Sequence, residues 1–110
     1  SALRRPRLEA PSIVSYADLS IDLDRRDVKR GDVLIELSAR EYALLLTFVR
    51  NPERVFTRDQ LLDLVWGSDR DVGPGAVETY VSYLRAKIDA NFEPKLIRTI
   101  RGAGYALRSH

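Results

Sequence analysis

The side chains best suited to chemistry are hydroxyl groups that recur on one edge of a predicted helix over residues 75–88. Apolar residues at steps of four, three and four predict the buried edge of that helix, which comprises Val77, Val81, Leu84 and Ile88. At about 100° per residue, the opposite edge carries Thr79, Ser82, Tyr83 and Ala86. Solvated helix faces usually carry long charged side chains. Short hydroxyls, an alanine and one ring instead allow close approach to another surface, such as a groove of DNA.

A second set of polar groups surrounds a glycine turn near the C-terminal end. The β-prone runs on either side of Arg101-Gly-Ala-Gly104 predict a hairpin over residues 96–107. Since strand side chains alternate, Thr99 and Arg101 are displayed on one side while Ile100 is buried on the other. The hairpin therefore offers a hydroxyl and a positive charge for binding.

Catalytic or metal chemistry finds little support in the residue types. The chain has no cysteine, and its single histidine is the terminal His110, so no catalytic triad or zinc triad can be assembled. Asp22, Asp24 and Asp27 lack the glycine-centred loop of a calcium site and are interpreted as turn residues. A strand follows Arg101–Gly104 where a nucleotide fingerprint requires a helix. We therefore expect the chain to have no enzymatic activity and to bind neither a metal nor a cofactor.

Length and composition indicate a single folded domain. The chain has 110 residues, of which 45% are hydrophobic and 31% charged. No apolar run approaches the roughly 18 residues of a membrane span, and no signal-peptide pattern is present, so a cytoplasmic protein without membrane association is expected. The chain begins at Ser1 and contains no methionine. We expect a fragment, with any partner domain preceding residue 1.

The distribution of charge is more informative than the net charge of +2. Residues 77–110 carry six basic residues against three acidic ones, and residues 1–10 are also basic, whereas the middle of the chain is acidic. Basic ends suit an acidic partner. A chance scatter of solvated charges explains the same distribution equally well.

Short elements before and after these groups must position them. Residues 1–11 are polar, basic and proline-rich, and they are predicted to be a linker or disordered arm. Between residues 12 and 37, short alternating runs are separated by Asp and Gly, which predicts an antiparallel meander of about four strands. The runs are residues 13–16, 19–23, Val28 with its neighbours, and 33–37.

Two capping boxes predict the starts of two further helices. The first, Ser38-Ala-Arg-Glu41, opens a helix that ends at Asn51-Pro52. The second, Thr57-Arg-Asp-Gln60, opens a helix that ends at Gly67. Residues 68–75 are too polar and glycine-rich for a helix and are predicted to be an exposed loop.

A sheet followed by helix, helix, loop, helix and hairpin is an α+β arrangement typical of a winged helix-turn-helix. The predicted domain covers residues 12–110, with an N-terminal antiparallel four-stranded sheet, three helices and a C-terminal hairpin wing. In that geometry the third helix, residues 75–90, enters the major groove of DNA. The wing, residues 98–105, lies on the adjacent minor groove or backbone, where arginine suits a narrow, electronegative groove.

Four segments also carry a resemblance that spans residues 12–108: Leu37–Glu41 (LSARE), Asn51–Trp66 (NPERVFTRDQLLDLVW), Val77–Ile88 and Arg98–Tyr105 (RTIRGAGY). In order and spacing they resemble the DNA-binding effector domain of OmpR/PhoB-type response regulators of bacterial two-component systems. The resemblance implies sequence-specific binding of double-stranded DNA. The alternative is a winged-helix module that binds another protein.

The resemblance also implies roles for individual residues. Thr79, Ser82 and Tyr83 match positions that face bases or adjacent phosphates, Thr99 matches a phosphate-contacting threonine, and Arg101 matches the wing arginine that enters the minor groove. Ser82 and Tyr83 stand where several relatives carry long basic residues, so the base preference of this chain is left open.

Two basic residues of the third helix complete the candidate DNA-binding set. Lys87 is included as a further basic group, and Arg85 matches a position that is commonly basic. Two interpretations of Arg85 stay open: a grip on phosphate, or an ion pair with Glu78 or Asp89 on the helix flank.

The resemblance implies partners as well. A receiver domain is expected before Ser1, and a second copy of the domain is expected on repeated half-sites of the DNA. RNA polymerase is expected to contact the loop formed by Ser68, Asp69, Arg70, Asp71 and Val72.

Overall fold

The alternating residues near the N-terminus form the predicted antiparallel sheet. A computed structural model describes residues 12–67, 73 and 75–109 of the chain. In this part, the first strands form a four-stranded meander in sequence order, and they are β1 (Ile13–Tyr16), β2 (Leu19–Asp22), β3 (Asp27–Arg30) and β4 (Val33–Ile35). The expected linker at residues 1–11 and the loop at 68–72 lie outside the described residues.

Capping boxes start the first two helices, as predicted. α1 (Ala39–Arg50) follows Ser38, whose hydroxyl accepts a hydrogen bond from the amide of Glu41 at 3.2 Å. The Glu41 carboxylate in turn accepts a hydrogen bond from the Ser38 amide at 2.9 Å. Both backbone amides, which have no partner within the helix, are thus hydrogen-bonded. Thr57 opens α2 (Arg58–Leu61) through the same reciprocal pair of bonds.

The second helix changes type in a way that its sequence does not signal. After α2, residues Leu62–Trp66 continue as a π-helical segment, and the helix ends at Gly67 with a positive φ of 59°. The end at Gly67 was predicted, but the wider turn was not. The wider turn accompanies the burial of two adjacent side chains, Val65 and Trp66, against the core.

The third helix, α3 (Ala76–Ile88), has the predicted apolar edge. Its buried side chains are Val77, Val81, Leu84 and Ile88, each 1% exposed or less. They pack into one hydrophobic core with α1, the π-helical segment and the inner face of the sheet. The opposite edge of α3 is consequently directed away from the core.

The hairpin, β5 (Ile97–Ile100) with β6 (Gly104–Leu107), is fixed to the rest of the domain by Phe56. The Phe56 amide donates to the Tyr105 carbonyl at 2.8 Å, and the Tyr105 amide donates back at 2.9 Å. A Cβ on Gly104 would overlap the Phe56 carbonyl, so only glycine permits this approach. Ile100, predicted to be buried, is only partly so.

A buried arginine of the sheet, Arg30, joins the sheet to the end of α3. Its side chain is fully buried. Nε donates to the Asp18 carboxylate at 2.8 Å, Nη1 to the Ile88 carbonyl at 2.7 Å and Nη2 to the Pro94 carbonyl at 3.0 Å. Nη1 also lies 3.3 Å from the Asp89 carboxylate. The alternating pattern of β3 gives no sign of this role.

Asp89 then couples the end of α3 to the start of the wing. Its carboxylate is 6% exposed and accepts hydrogen bonds from the amides of Leu96 at 3.0 Å and Ile97 at 2.9 Å. Because one carboxylate bonds both Arg30 and β5, the sheet, the helix and the wing share a single buried junction.

We predict that Arg30→Ala lowers the free energy of unfolding by about 3 kcal/mol, because it leaves the Asp89 carboxylate buried without its cation. Urea unfolding followed by circular dichroism measures the change. Lys29→Ala, at the neighbouring exposed position of β3, is the matched control and should stay within about 0.5 kcal/mol of the native chain. A loss below about 1 kcal/mol for Arg30→Ala would contradict the proposed junction.

Candidate nucleic-acid interface

The outward edge of α3 carries short side chains and one ring. Thr79, Ser82 and Ala86 are exposed, and Tyr83 is 50% exposed. Each hydroxyl can donate one hydrogen bond and accept others. This edge therefore offers close approach and hydrogen bonding, as the periodicity predicted.

Arg85 lies on the flank of α3 that faces the wing. Its Nε donates to the Ile97 carbonyl at 3.1 Å and its Nη2 to the Thr99 hydroxyl oxygen at 2.6 Å. The guanidinium also lies over the ring of Tyr105, at 5.7 Å from the ring centroid. Arg85 thus joins the helix directly to the wing.

The ion pairs predicted for Arg85 are not formed among the described residues. Glu78 instead lies 3.5 Å from Arg58, and Asp89 is bonded to Arg30. Helical spacing places Glu78 and Asp89 near Arg85, but each carboxylate instead contacts an arginine of another element, Arg58 or Arg30. In place of either ion pair, Arg85 forms structural hydrogen bonds to neutral oxygens of the wing.

The bond from Arg85 sets the orientation of the Thr99 hydroxyl. Because the Thr99 oxygen accepts from Arg85, its single hydrogen is free to donate elsewhere. Thr99 is exposed, so that donor can reach an acceptor outside the protein. A phosphate oxygen is the type of acceptor that suits such a donor.

An open cleft of about 580 Å³ separates the C-terminal half of α3 from β5. Its lining includes Ser82, Arg85, Lys95, Arg98 and Thr99. Three of these side chains are basic, but Lys95 is paired with Glu93 at 3.0 Å, and the buried carboxylate of Asp89 also lines the cleft. Arg101 is exposed at the turn that follows β5, which extends the positive charge to the tip of the wing.

Lys87 lies on the other flank of α3 and faces α1. Its ammonium is 2.6 Å from the carboxylate of Glu41, whose side chain is 5% exposed. Burial acts to raise the pKa of Glu41, but hydrogen bonds from Lys87 and Ser38 outweigh it and hold that pKa below its usual value of 4.5. Of the predicted site residues, the structure thus brings Ser82, Arg85 and Thr99 to one cleft, and it ties Lys87 to Glu41 of α1. Thr79 and Tyr83 lie on the exposed edge of α3, and Arg101 lies at the tip of the wing.

The sequence profile of the family described as "Transcriptional regulatory protein, C terminal" matches residues 31–107. The chain belongs to this family. It is 47% identical over 111 residues to the response regulator MprA of Mycobacterium ulcerans (strain Agy99), an alignment that covers 96% of this chain and 48% of that protein. The chain therefore spans about half the length of the curated relatives it matches.

Solved structures of this family share the fold. The DNA-binding domain of Klebsiella pneumoniae RstA, solved in complex with the RstA box, is 30% identical with a TM-score of 0.77, covering 89% of this chain and 98% of that one. Thermotoga maritima DrrB, an OmpR/PhoB homologue, is 30% identical with a TM-score of 0.76, covering 93% of this chain and 46% of that one. The predicted winged helix and the OmpR/PhoB resemblance are confirmed.

Within residues 12–67, 73 and 75–109, no helix has the length and apolar character needed to cross a membrane. Over the same residues, no group of three or more metal-binding side chains is found.

The Glu41–Lys87 pair predicts how stability depends on pH. Since the pKa of Glu41 is lower in the folded state than in the unfolded chain, its stabilisation is present at neutral pH and is lost as the pH falls through the range below 4.5. We predict that Glu41→Gln loses about 1 kcal/mol at pH 7 and that the difference from the native chain shrinks towards pH 3.

Urea unfolding at pH 7, 4.5 and 3 measures this dependence. Glu36→Gln, at an exposed carboxylate just before α1, is the matched control and should show no such pH-dependent difference. A Glu41→Gln deficit that stays constant from pH 7 to pH 3 would show that the carboxylate is not held in its charged form.

Proposed function

We propose that this chain binds double-stranded DNA in a sequence-specific manner, as the effector domain of a two-component response regulator. The observation that carries the proposal is the single face formed by the outward edge of α3 and the wing, joined by Arg85. An RstA domain of the same fold has been solved in complex with the RstA box, which supports the same mode of binding here.

In this proposal α3 lies in the major groove, where Thr79, Ser82 and Tyr83 face base edges or adjacent phosphates. The wing lies on the neighbouring backbone and minor groove. Thr99 donates its hydroxyl hydrogen to a phosphate, and Arg101 enters the minor groove. Specificity then comes mainly from the helix, while the positive charge comes mainly from the wing.

The basic residues of α3 have different roles. Arg85 acts as a positioning residue, because its hydrogen bonds to Ile97 and Thr99 hold the wing at a set distance from the helix. Lys87 takes part only at the margin of the interface. Its side chain is 41% exposed, but the bond to Glu41 holds the ammonium towards α1.

The rest of the protein is proposed to follow the pattern of its relatives. Since the chain spans about half the length of the response regulator MprA, a receiver domain precedes it, and the protein acts in the cytoplasm. A single module buries only about 600–1,000 Å² on DNA, so a second copy binds a repeated half-site. RNA polymerase contacts the loop at residues 68–72, which lies outside the described residues.

The salt dependence of duplex binding distinguishes this function from a protein-interaction module. Fluorescence anisotropy with randomised duplexes at low and rising salt is the measurement. Affinity should fall steeply with salt, with a log–log slope set by the number of phosphates neutralised. An absence of affinity for any duplex at low salt would exclude DNA binding.

We predict that Arg101→Ala weakens binding to most duplexes, because it removes one cation from the backbone or minor groove. The salt slope, which is the magnitude of the slope of log affinity against log salt concentration, should fall by about 1. Arg25→Ala, which removes an exposed arginine between β2 and β3 of the other sheet, is the matched control and should leave the slope unchanged. Equal slopes for both variants and the native chain would place the wing tip off the DNA.

We predict that Arg85→Lys weakens binding about fivefold while the salt slope stays the same. The lysine keeps the charge but cannot bond the Ile97 carbonyl and the Thr99 hydroxyl together as the planar guanidinium does. If native affinity were kept, the positive charge alone would matter at this position, and the positioning role would be excluded.

A further inference from the structure

The ring of Tyr83 is held by a series of aromatic contacts that the periodicity did not reveal. Its centroid lies 5.4 Å from that of Tyr80, with the planes at 74°. Tyr80 in turn lies 5.5 Å from Trp66, at 73°. Edge-to-face pairs of this kind are favourable beyond the apolar area that they bury. The most exposed side chain of the series is thus supported by two rings behind it.

The series is anchored in the core. Trp66 is 4% exposed and ends the π-helical segment. The Arg40 guanidinium of α1 lies over its ring at 5.3 Å and donates to the Val65 carbonyl at 2.7 Å. Tyr83 therefore loses little rotamer freedom when it contacts another molecule, since Tyr80 already restricts its ring.

The chemistry of Tyr83 differs from that of the other side chains on the outward edge of α3. Its neighbours on that edge, Thr79, Ser82 and Ala86, are short, so the ring projects beyond them. An aromatic ring cannot form the paired hydrogen bonds by which arginine recognises guanine. The apolar group that the major groove presents to such a ring is the C5-methyl group of thymine.

We propose that Tyr83 recognises the C5-methyl group of a thymine in the major groove, with Tyr80 and Trp66 as positioning residues. This inference rests on the proposed function and assigns the class of base that the ring selects. It also accounts for a neutral aromatic side chain at the centre of an edge that faces a polyanion.

The test uses duplexes that the native 110-residue chain selects from a randomised pool. Each thymine of a selected site is replaced in turn by deoxyuridine, which removes only the methyl group. At one position per half-site, binding should weaken about fourfold, the factor for one buried methyl group. A 5-methylcytosine at that position, paired with guanine, should bind more tightly than cytosine in the same duplex.

Variants connect that methyl group to the ring. The roughly fourfold loss of affinity that deoxyuridine causes is the deoxyuridine penalty. Tyr83→Ala should abolish this penalty, whereas Tyr83→Phe should keep it. Tyr80→Leu, with folding checked by circular dichroism, should reduce the penalty because the ring of Tyr83 loses its support. Ser82→Ala is the matched control on the same edge, and whatever it does to overall affinity, it should leave the penalty unchanged.

Two results would overturn the inference. One is the same deoxyuridine penalty, or none, in the native chain and in Tyr83→Ala. The other is a Tyr83→Phe variant that no longer discriminates thymine from deoxyuridine, which would show that the hydroxyl and not the ring is responsible for the methyl dependence. If the native chain selects no duplex, the proposed function itself fails and this inference fails with it. A selected site without methyl dependence refutes the inference alone.

Discussion

The buried contact between Arg30 and Asp89 determines how the parts of this domain are arranged. It joins β3, the C-terminal end of α3 and the first residues of β5 through one guanidinium and one carboxylate. Burying two charges costs several kcal/mol each in desolvation, and their mutual attraction offsets this only when the remaining hydrogen bonds are satisfied. Here both groups bond further partners. The contact therefore specifies one arrangement of helix and wing more than it adds stability.

Arg85 fixes the same arrangement a second time, nearer to the proposed DNA surface. Asp89 bonds the amide of Ile97, where β5 begins, and Arg85 bonds the Ile97 carbonyl and, two residues further along the strand, the Thr99 hydroxyl. A strand attached at two points cannot easily tilt away from the helix. In the proposed complex with DNA, the outward edge of α3 and the wing thus act as one preorganised surface, which lowers the entropy lost on binding.

Local patterns predicted most of the fold, because they reflect interactions between residues near one another in the chain. The alternation of apolar and polar residues predicted the four strands of the meander, and the capping boxes at Ser38 and Thr57 predicted two helix starts. The Arg30 contact, the pairing of Phe56 with Tyr105 and the true partners of Arg85 were not predictable in this way. These contacts join residues 12 to 59 positions apart, and no local period encodes which distant groups meet.

The distribution of charge over the proposed interface separates affinity for any DNA from discrimination between DNA sequences. Basic side chains contribute affinity at any sequence, since every duplex carries the same phosphates. On α3 the exposed edge is neutral, and the cations next to it are engaged within the protein, Arg85 with the wing and Lys87 with Glu41. In the proposed complex, contacts of the helix therefore add little sequence-independent affinity. In the proposed complex, discrimination between sites therefore comes mainly from the helix, and affinity that is independent of sequence comes mainly from the wing.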